Sequence, residues 1–264
     1  MKREFKIYTL IILNLLSLIF MILFNFLAVS LPLNSNTPKD VADKYDASIV
    51  PASVTFSIWL IIYTLLAIFV FNQILYFFKK DEKRKILIEN IGLFFFISSI
   101  LNVLWLFCWH YEKLLLSVFV MLLLLLSLII LYVRLRIGEK DFNENLLFVQ
   151  TPVSIYLGWI SIATVVNISS YLKYSGIAMF NKNQIIWTNV TILLTLLLGI
   201  FMFIKKKDLF YTLVFLWAYI GIILKQILSN NNGSQSIIFV TIISMIILII
   251  FTVISEVKSF KNKN

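Results

Sequence analysis

The sequence has few of the residues that build covalent cross-links or metal centres. Cys108 is the single cysteine among 264 residues, and His110 is the single histidine. One cysteine excludes an intrachain disulfide framework and a multi-cysteine metal site. One histidine argues against a zinc or iron centre held by several imidazoles. The sequence therefore predicts no metal site.

Charged residues are also scarce, at 14% of the chain, whereas residues of the set AVILMFWYC make up 61%. A soluble domain of this length needs more polar surface to cover its core. The net charge of +10 does not indicate nucleic acid as a partner, because the positive residues lie in short clusters between apolar runs. The composition predicts a protein whose surface is covered by a lipid bilayer.

The apolar runs have the length of membrane-spanning helices, which need ~20 residues because each residue rises ~1.5 Å. Eight runs qualify: 7–31, 52–78, 87–109, 114–133, 146–172, 185–204, 209–228 and 237–254. They lack the alternating polarity of barrel strands. We therefore expect an all-α polytopic membrane bundle of about eight helices. The first run is longer than the apolar part of a signal peptide and is predicted to be retained, with cleavage near Ala28 as the alternative.

The Lys and Arg residues indicate the orientation of these spans. Seventeen of the 23 fall at the N-terminus, at the C-terminus and in the loops on the same side, and five fall in the opposite loops. Lys225 lies inside the seventh run. Loops rich in Lys and Arg stay in the cytoplasm. The pattern predicts a multi-pass protein of the plasma membrane with both termini inside.

Two loops stand out in this topology. The loop 173–184 is a candidate boundary between a five-helix unit, 1–175, and three additional helices, 176–264. The first outer loop, 31–51, is the longest. Loops of this length often act as lids or binding elements, although a plain surface connection is the alternative.

Aromatic and polar residues form stripes in three of the predicted spans, at helical spacing. The stripes are Thr55, Trp59 and Tyr63; Asn102, Trp105 and Trp109; and Tyr156, Trp159, Ala163 and Asn167, with Thr164 beside the last. All three fall in the outer half of the bilayer. If they face one another, they form an aromatic cavity suited to a large flat hydrophobic ligand. The alternatives are interfacial anchoring by Trp and Tyr, and interhelical bonding by Asn and Thr.

No catalytic motif is present: the sequence contains no phosphate-binding loop, no HExxH and no GxSxG. Glu89, Glu112 and His110 are the only candidate catalytic groups. They are not obviously convergent, and His110 is expected to be solvated at the membrane boundary. The sequence predicts no catalytic residues and a protein that is not an enzyme.

At these stripes the sequence resembles the TspO/MBR family of tryptophan-rich sensory and translocator proteins. Residues 51–63, PASVTFSIWLIIY, resemble the proline-led start of its second helix. Residues 101–105, LNVLW, match its Leu-Asn-x-x-Trp segment. Residues 156–167, YLGWISIATVVN, match its Trp-x-x-x-Ala-Thr-x-x-Asn pattern. The three motifs occur in the family's order. The resemblance covers about 7–175, and the chain continues for three more helices as in longer homologues.

This resemblance implies a five-helix fold, often homodimeric, that binds porphyrins and other tetrapyrroles inside the bundle. It implies no permanent cofactor, with porphyrin or haem as a ligand. Combined with the stripes, it gives these expected ligand-binding residues: Trp59, Tyr63, Asn102, Trp105, Tyr156, Trp159, Thr164 and Asn167.

Three functions remain open from the sequence. The first is a receptor or carrier for a planar hydrophobic ligand such as a tetrapyrrole. The second is a transporter or permease subunit of unknown substrate. The third is a membrane enzyme that modifies a tetrapyrrole or a lipid.

Overall fold

The computed structural model describes residues 2–31, 34, 36–45, 47–139, 146–177, 182–229 and 233–261. Every regular element within these ranges is helical, which confirms the all-α class. Seven helices are long and apolar enough to cross a membrane, and a helix pair bent by 42° makes an eighth if it counts as one span. The predicted polytopic bundle of about eight spans is therefore confirmed.

The helices follow one another with short connections. They are α1 Lys2–Ser30, α2 Pro38–Lys44, α3 Ile58–Ile74, α4 Tyr76–Lys79, α5 Glu82–Ile91, α6 Phe94–His110, α7 Leu114–Arg134, α8 Thr151–Tyr174, α9 Gln184–Lys206, α10 Leu209–Ser229 and α11 Ser234–Lys261. A 3₁₀ turn, Ser53–Ser57, leads into α3, and a π-helical turn, Leu146–Gln150, leads into α8.

The third predicted span, 87–109, is interrupted in the structure. Gly92 has a φ of +55°, which L side chains rarely adopt, and it ends α5 before α6 begins at Phe94. The end of a helix leaves its last carbonyls without partners. Arg134 supplies donors to two of them, with Nε 2.7 Å from the oxygen of Asn90 and an Nη 3.0 Å from that of Glu89. The bend is therefore stabilised by a neighbouring helix.

Helix α8 lies at the centre of the bundle. It contacts α3, α7 and α10, while α1 packs on α3 and α6, and α6 packs on α7. Outward-facing side chains of the bundle are large and apolar: Leu60 is 75% exposed and Phe78 is 81% exposed. Such a surface is stable only against lipid. Helices α9, α10 and α11 pack on one another and meet the first five spans through α10.

Candidate ligand-binding site

A cavity of about 40 Å³ lies within the bundle, next to the loop that joins α1 to α3. Its lining comes from three helices and from that loop. The lining residues are Pro38, Ala42, Pro51, Phe56, Trp59, Trp105, Trp109, Trp159, Ile162, Ala163, Val166 and Asn167. Four of the chain's six tryptophans are among them.

The aromatic rings around the cavity meet edge to face. The ring of Trp159 lies 6.3 Å from that of Trp59 at an interplanar angle of 86°, and 6.0 Å from that of Phe56 at 84°. On α6, the rings of Trp105 and Trp109 stack at 5.9 Å and 23°. These separations are typical of attractive aromatic pairs. The cavity wall is therefore built from indole and phenyl surfaces that hold one another in place.

A layer of polar side chains lies beside the rings. The Tyr156 hydroxyl accepts a bond from Asn102 Nδ2 at 3.3 Å, and Asn102 Oδ1 accepts one from Asn25 Nδ2 at 2.8 Å. The ring of Trp59 packs 6.2 Å from Tyr156 and stacks 5.4 Å from Tyr63. Because Asn102 is bonded on both sides, it ties α1, α6 and α8 together in the membrane interior.

The structure brings half of the predicted site residues to the cavity wall. Trp59, Trp105, Trp159 and Asn167 line it. Tyr63, Asn102 and Tyr156 belong to the adjoining layer. Thr164 is not among the described lining residues, and its hydroxyl donates to the oxygen of Ile160, 2.7 Å away in the same helix. The amide of Asn167 also bonds to Ser117 Oγ of α7, at 3.1 and 3.2 Å.

Other lining residues were not in the predicted set. Pro38, Ala42 and Pro51 come from the long outer loop. Its length alone had suggested either a lid or a plain surface connection. Trp109 is 4% exposed, so it is a buried wall residue and not a lipid-facing anchor. Its spacing of four residues from Trp105 is a signal that placed it on the same helix face.

Residues 36–45 and 47–52 of this loop cover the cavity, and we call them the cap. Helix α2 within it begins at a capping box, in which Thr37 Oγ1 accepts from the Asp40 amide and the Asp40 carboxylate accepts from the Thr37 amide. Trp109 Nε1 donates to the oxygen of Pro38 at 3.0 Å. The cap is therefore an ordered helix bonded directly to the cavity wall.

Glu112, in the turn between α6 and α7, holds one side of the cap. Lys44 Nζ lies 2.6 Å from its carboxylate, and the Tyr45 hydroxyl donates to the same group. The hydrogen bonds from Lys44 and then Tyr45 hold the pKa of Glu112 below its ordinary value. Burial, followed by the bond to Glu112, raises the pKa of Tyr45. Glu112 is thus a charged acceptor for both cap residues near neutral pH.

Helix α10 holds the opposite side of the cap. Lys225 Nζ lies 2.9 Å from Asp43 Oδ1, and Gln226 Nε2 donates to the oxygen of Ser48 at 2.7 Å. The amide of Ala52 donates to the oxygen of Gly221 at 2.9 Å. Lys225, which lies inside the seventh predicted span, is in contact with the cap.

The remaining titratable candidates do not converge on the cavity. Glu89 forms a bidentate pair with Arg3, at 2.7 and 2.8 Å, near the start of α1. His110 is fully buried, with Nδ1 2.7 Å from the oxygen of Leu106, so the expectation of a solvated histidine is wrong. Asn34 Nδ2, in the outer loop between α1 and α2, donates to the backbone oxygen of His110 at 3.1 Å. Within the described residues, no group of three His, Cys, Asp or Glu side chains is placed to hold a metal.

Comparison with known proteins assigns the chain to a family. The family model described as TSPO-like protein matches residues 11–254. No curated protein and no solved structure matches the chain. The matched region includes the cavity, the cap and all of α9 and α10. Since it covers most of the chain, this multi-pass membrane protein belongs to the TSPO-like protein family.

Proposed function

We propose that this TSPO-like membrane protein is a non-enzymatic receptor or carrier that binds a planar hydrophobic ligand, such as a tetrapyrrole. The supporting observation is that Trp59, Trp105 and Trp159, from three separate helices, line one cavity. Flat aromatic surfaces gain most from stacking on other rings and from leaving water. The cavity would therefore bind the faces of a planar ligand, with Asn167 as a polar contact.

The size of the cavity means that binding requires a conformational change. Sites for drug-sized ligands usually measure about 300–1,000 Å³, whereas this one measures about 40 Å³. The cap is the part of the wall that can move without breaking a membrane-spanning helix. We therefore propose that the cap opens to admit the ligand and that the structure corresponds to the closed state.

The contacts of Glu89 and Glu112 support a non-enzymatic function. Glu89 is bonded to Arg3, whereas Glu112 lies beyond the other end of α6 and is bonded to the cap. Neither residue lines the cavity. A general acid or base must lie within hydrogen-bond reach of the reacting group, and no described carboxylate meets that condition here.

We propose further that the protein is a homodimer in the plasma membrane, with the cap on the outer side as the positive-inside rule predicts. A ligand would then reach the cavity from the outer face. Labelling of a cysteine introduced at Ser48 by an impermeant maleimide in intact cells, in a Cys108→Ser background, tests this orientation. Protection of that cysteine until the cells are lysed would contradict it.

The binding proposal is tested by titrating the purified full-length protein with protoporphyrin IX dimethyl ester and following the porphyrin absorbance. The double variant Trp59→Phe, Trp159→Phe should bind about tenfold more weakly, because two indole contacts worth roughly 0.5–1.5 kcal/mol each are reduced. Trp187→Phe is the matched control, since Trp187 lies outside the described cavity lining. Equal affinities for all three proteins would refute the proposal.

A further inference from the structure

The described cavity lining contains no charged side chain. Its polar groups are the Asn167 amide and the indole N–H groups. Lys44 of the cap is paired with Glu112, and Lys225 of α10 is paired with Asp43 of the cap. A ligand carboxylate inside the cavity would therefore lose its water without gaining a cationic partner, which is strongly unfavourable.

The lining is equally unsuited to haem iron. Proteins hold haem iron through His, Cys, Met or Tyr, and none of the described lining residues is of these types. His110 follows Trp109 in sequence, but it is not among the described lining residues. The donor set does not fit an axially ligated haem, although the rings fit the flat face of a metal-free macrocycle.

One indole of the cavity wall carries an unused hydrogen-bond donor. Trp105 Nε1 is buried and has no partner among the described residues. By contrast, Trp109 Nε1 donates to Pro38 and Trp217 Nε1 donates to Thr55, at 3.0 and 2.9 Å. A buried donor without an acceptor is costly. A ligand atom that accepts this bond would remove that cost.

We infer that the cavity selects an uncharged, metal-free planar ligand whose hydrogen-bond acceptor receives the Trp105 N–H. This inference rests on the binding function proposed above and specifies the chemical class of its ligand. Stacking on the other indoles supplies affinity for any planar molecule. The Trp105 N–H favours planar molecules that carry an acceptor, and the uncharged lining disfavours planar molecules that carry a charge.

The test uses the full-length protein in nanodiscs of neutral lipid at pH 7.5, with four probes. Perylene is planar and has no acceptor, protoporphyrin IX dimethyl ester is neutral and has acceptors, protoporphyrin IX carries two carboxylates, and haemin adds iron. Affinities are corrected for partitioning into empty nanodiscs. We expect the dimethyl ester to bind at least tenfold more tightly than the diacid. Haemin should keep the optical spectrum that it has in empty nanodiscs.

Trp105→Phe isolates the hydrogen bond because it retains an aromatic ring and removes a donor that no described protein group accepts. It should weaken binding of the dimethyl ester roughly three- to tenfold more than that of perylene, because perylene loses only ring contact whereas the ester also loses the hydrogen bond. Trp187→Phe, the matched control, should change neither affinity.

The outcomes separate this inference from the proposed function. If perylene and the porphyrins bind but Trp105→Phe weakens all of them equally, or if the diacid binds as tightly as its ester, the inference is wrong and planar-ligand binding stands. An axially ligated haemin spectrum would also overturn the inference. If no probe binds above the level of empty nanodiscs, the inference and the proposed function both fail.

Discussion

Asp208 is a buried carboxylate that links three helices, and it belongs to no recognisable sequence motif. Its Oδ2 accepts from Tyr132 of α7 at 2.8 Å and from Ser154 of α8 at 2.6 Å, and its Oδ1 accepts from the Tyr211 amide in the first turn of α10 at 3.0 Å. Carboxylates stabilise the N-terminus of a helix because its first amides lack partners. Asp208 thus joins α10 to the central helices.

Replacing Asp208 by Ala should destabilise the protein by about 1–3 kcal/mol, because two buried hydroxyls and one helix amide lose their acceptor. The thermal midpoint of the detergent-solubilised protein measures this. Asp208→Asn is the matched control: its amide oxygen still accepts and it also caps helices, so it should lose less than Asp208→Ala. Equal midpoints for Asp208→Ala and the wild type would show that these bonds contribute nothing to stability.

The individual indoles were predictable from sequence, but their bonding was not. Helix periodicity places Trp59, Trp105 and Trp159 each on one face of its own helix, whereas only helix packing brings the three faces to one cavity. Whether an N–H finds an acceptor depends on backbone positions in other segments, as for Trp109 and Pro38. Asn102 illustrates the same limit, since a stripe suggested a ligand contact and the structure uses it to bond Asn25 and Tyr156.

At the scale of elements, long apolar runs were predictable and short polar ones were not. The predicted span 114–133 matches α7, Leu114–Arg134, and 209–228 matches α10, Leu209–Ser229, because lipid length fixes such helices. Helix α2 has seven residues and little apolar pattern. Its only signal was Thr37 followed by Pro38 and Asp40, a capping box with Pro in the first turn.

The attachment of the cap to Glu112 predicts that the proposed opening of the cap is sensitive to pH. Because the pKa of Glu112 is lowered in the folded protein, its contribution is complete above its ordinary pKa of 4.5. It is lost as pH falls through the lowered value. Lys44 is 54% exposed, so screening keeps the effect small, at about 0.2–1 kcal/mol. Acidification below pH 4.5 should therefore loosen the cap, not tighten it.

Glu112→Gln should reproduce this loosening at neutral pH. We expect amide hydrogen exchange in residues 36–45 to increase and porphyrin association to become up to about fivefold faster, in line with the small energy involved. Glu139→Gln is the matched control, because Glu139 forms an ion pair of similar exposure with Arg136, away from the cap. If both variants exchange at the wild-type rate, Glu112 does not hold the cap closed.

For the whole molecule, the cap over the cavity is bonded to a helix outside the predicted five-helix unit. The sequence motifs end at Asn167, whereas α10 bonds the cap through Lys225, Gln226 and Gly221. These residues carry no motif, because their role comes only from where α10 packs. The boundary placed between 175 and 176 stays a prediction, and the family match runs across it.

Gly221 is the closest point between α10 and the segment leading into α3. A Cβ added there would lie 2.0 Å from Thr55 Oγ1 and 2.9 Å from Pro51 Cβ, far inside ordinary contact. Gly221→Ala should therefore push α10 away from the cap, lower stability by about 1–3 kcal/mol and weaken porphyrin binding. Thermal unfolding and porphyrin titration measure the two effects.

Gly199→Ala is the control for the change of residue type. At that position, also within a helix, an added Cβ would meet Leu248 at 3.4 Å, an ordinary contact, and alanine is the better helix former. The control should bind porphyrin as the wild type does and be equally or more stable.

Adding Thr55→Ala to Gly221→Ala removes the nearest clashing atom, Thr55 Oγ1, which has no hydrogen-bond partner among the described residues. The second substitution should therefore restore part of the porphyrin binding. Wild-type binding by Gly221→Ala alone would mean that the cavity is independent of α10, whereas a partial rescue by the second substitution would locate the coupling at this contact.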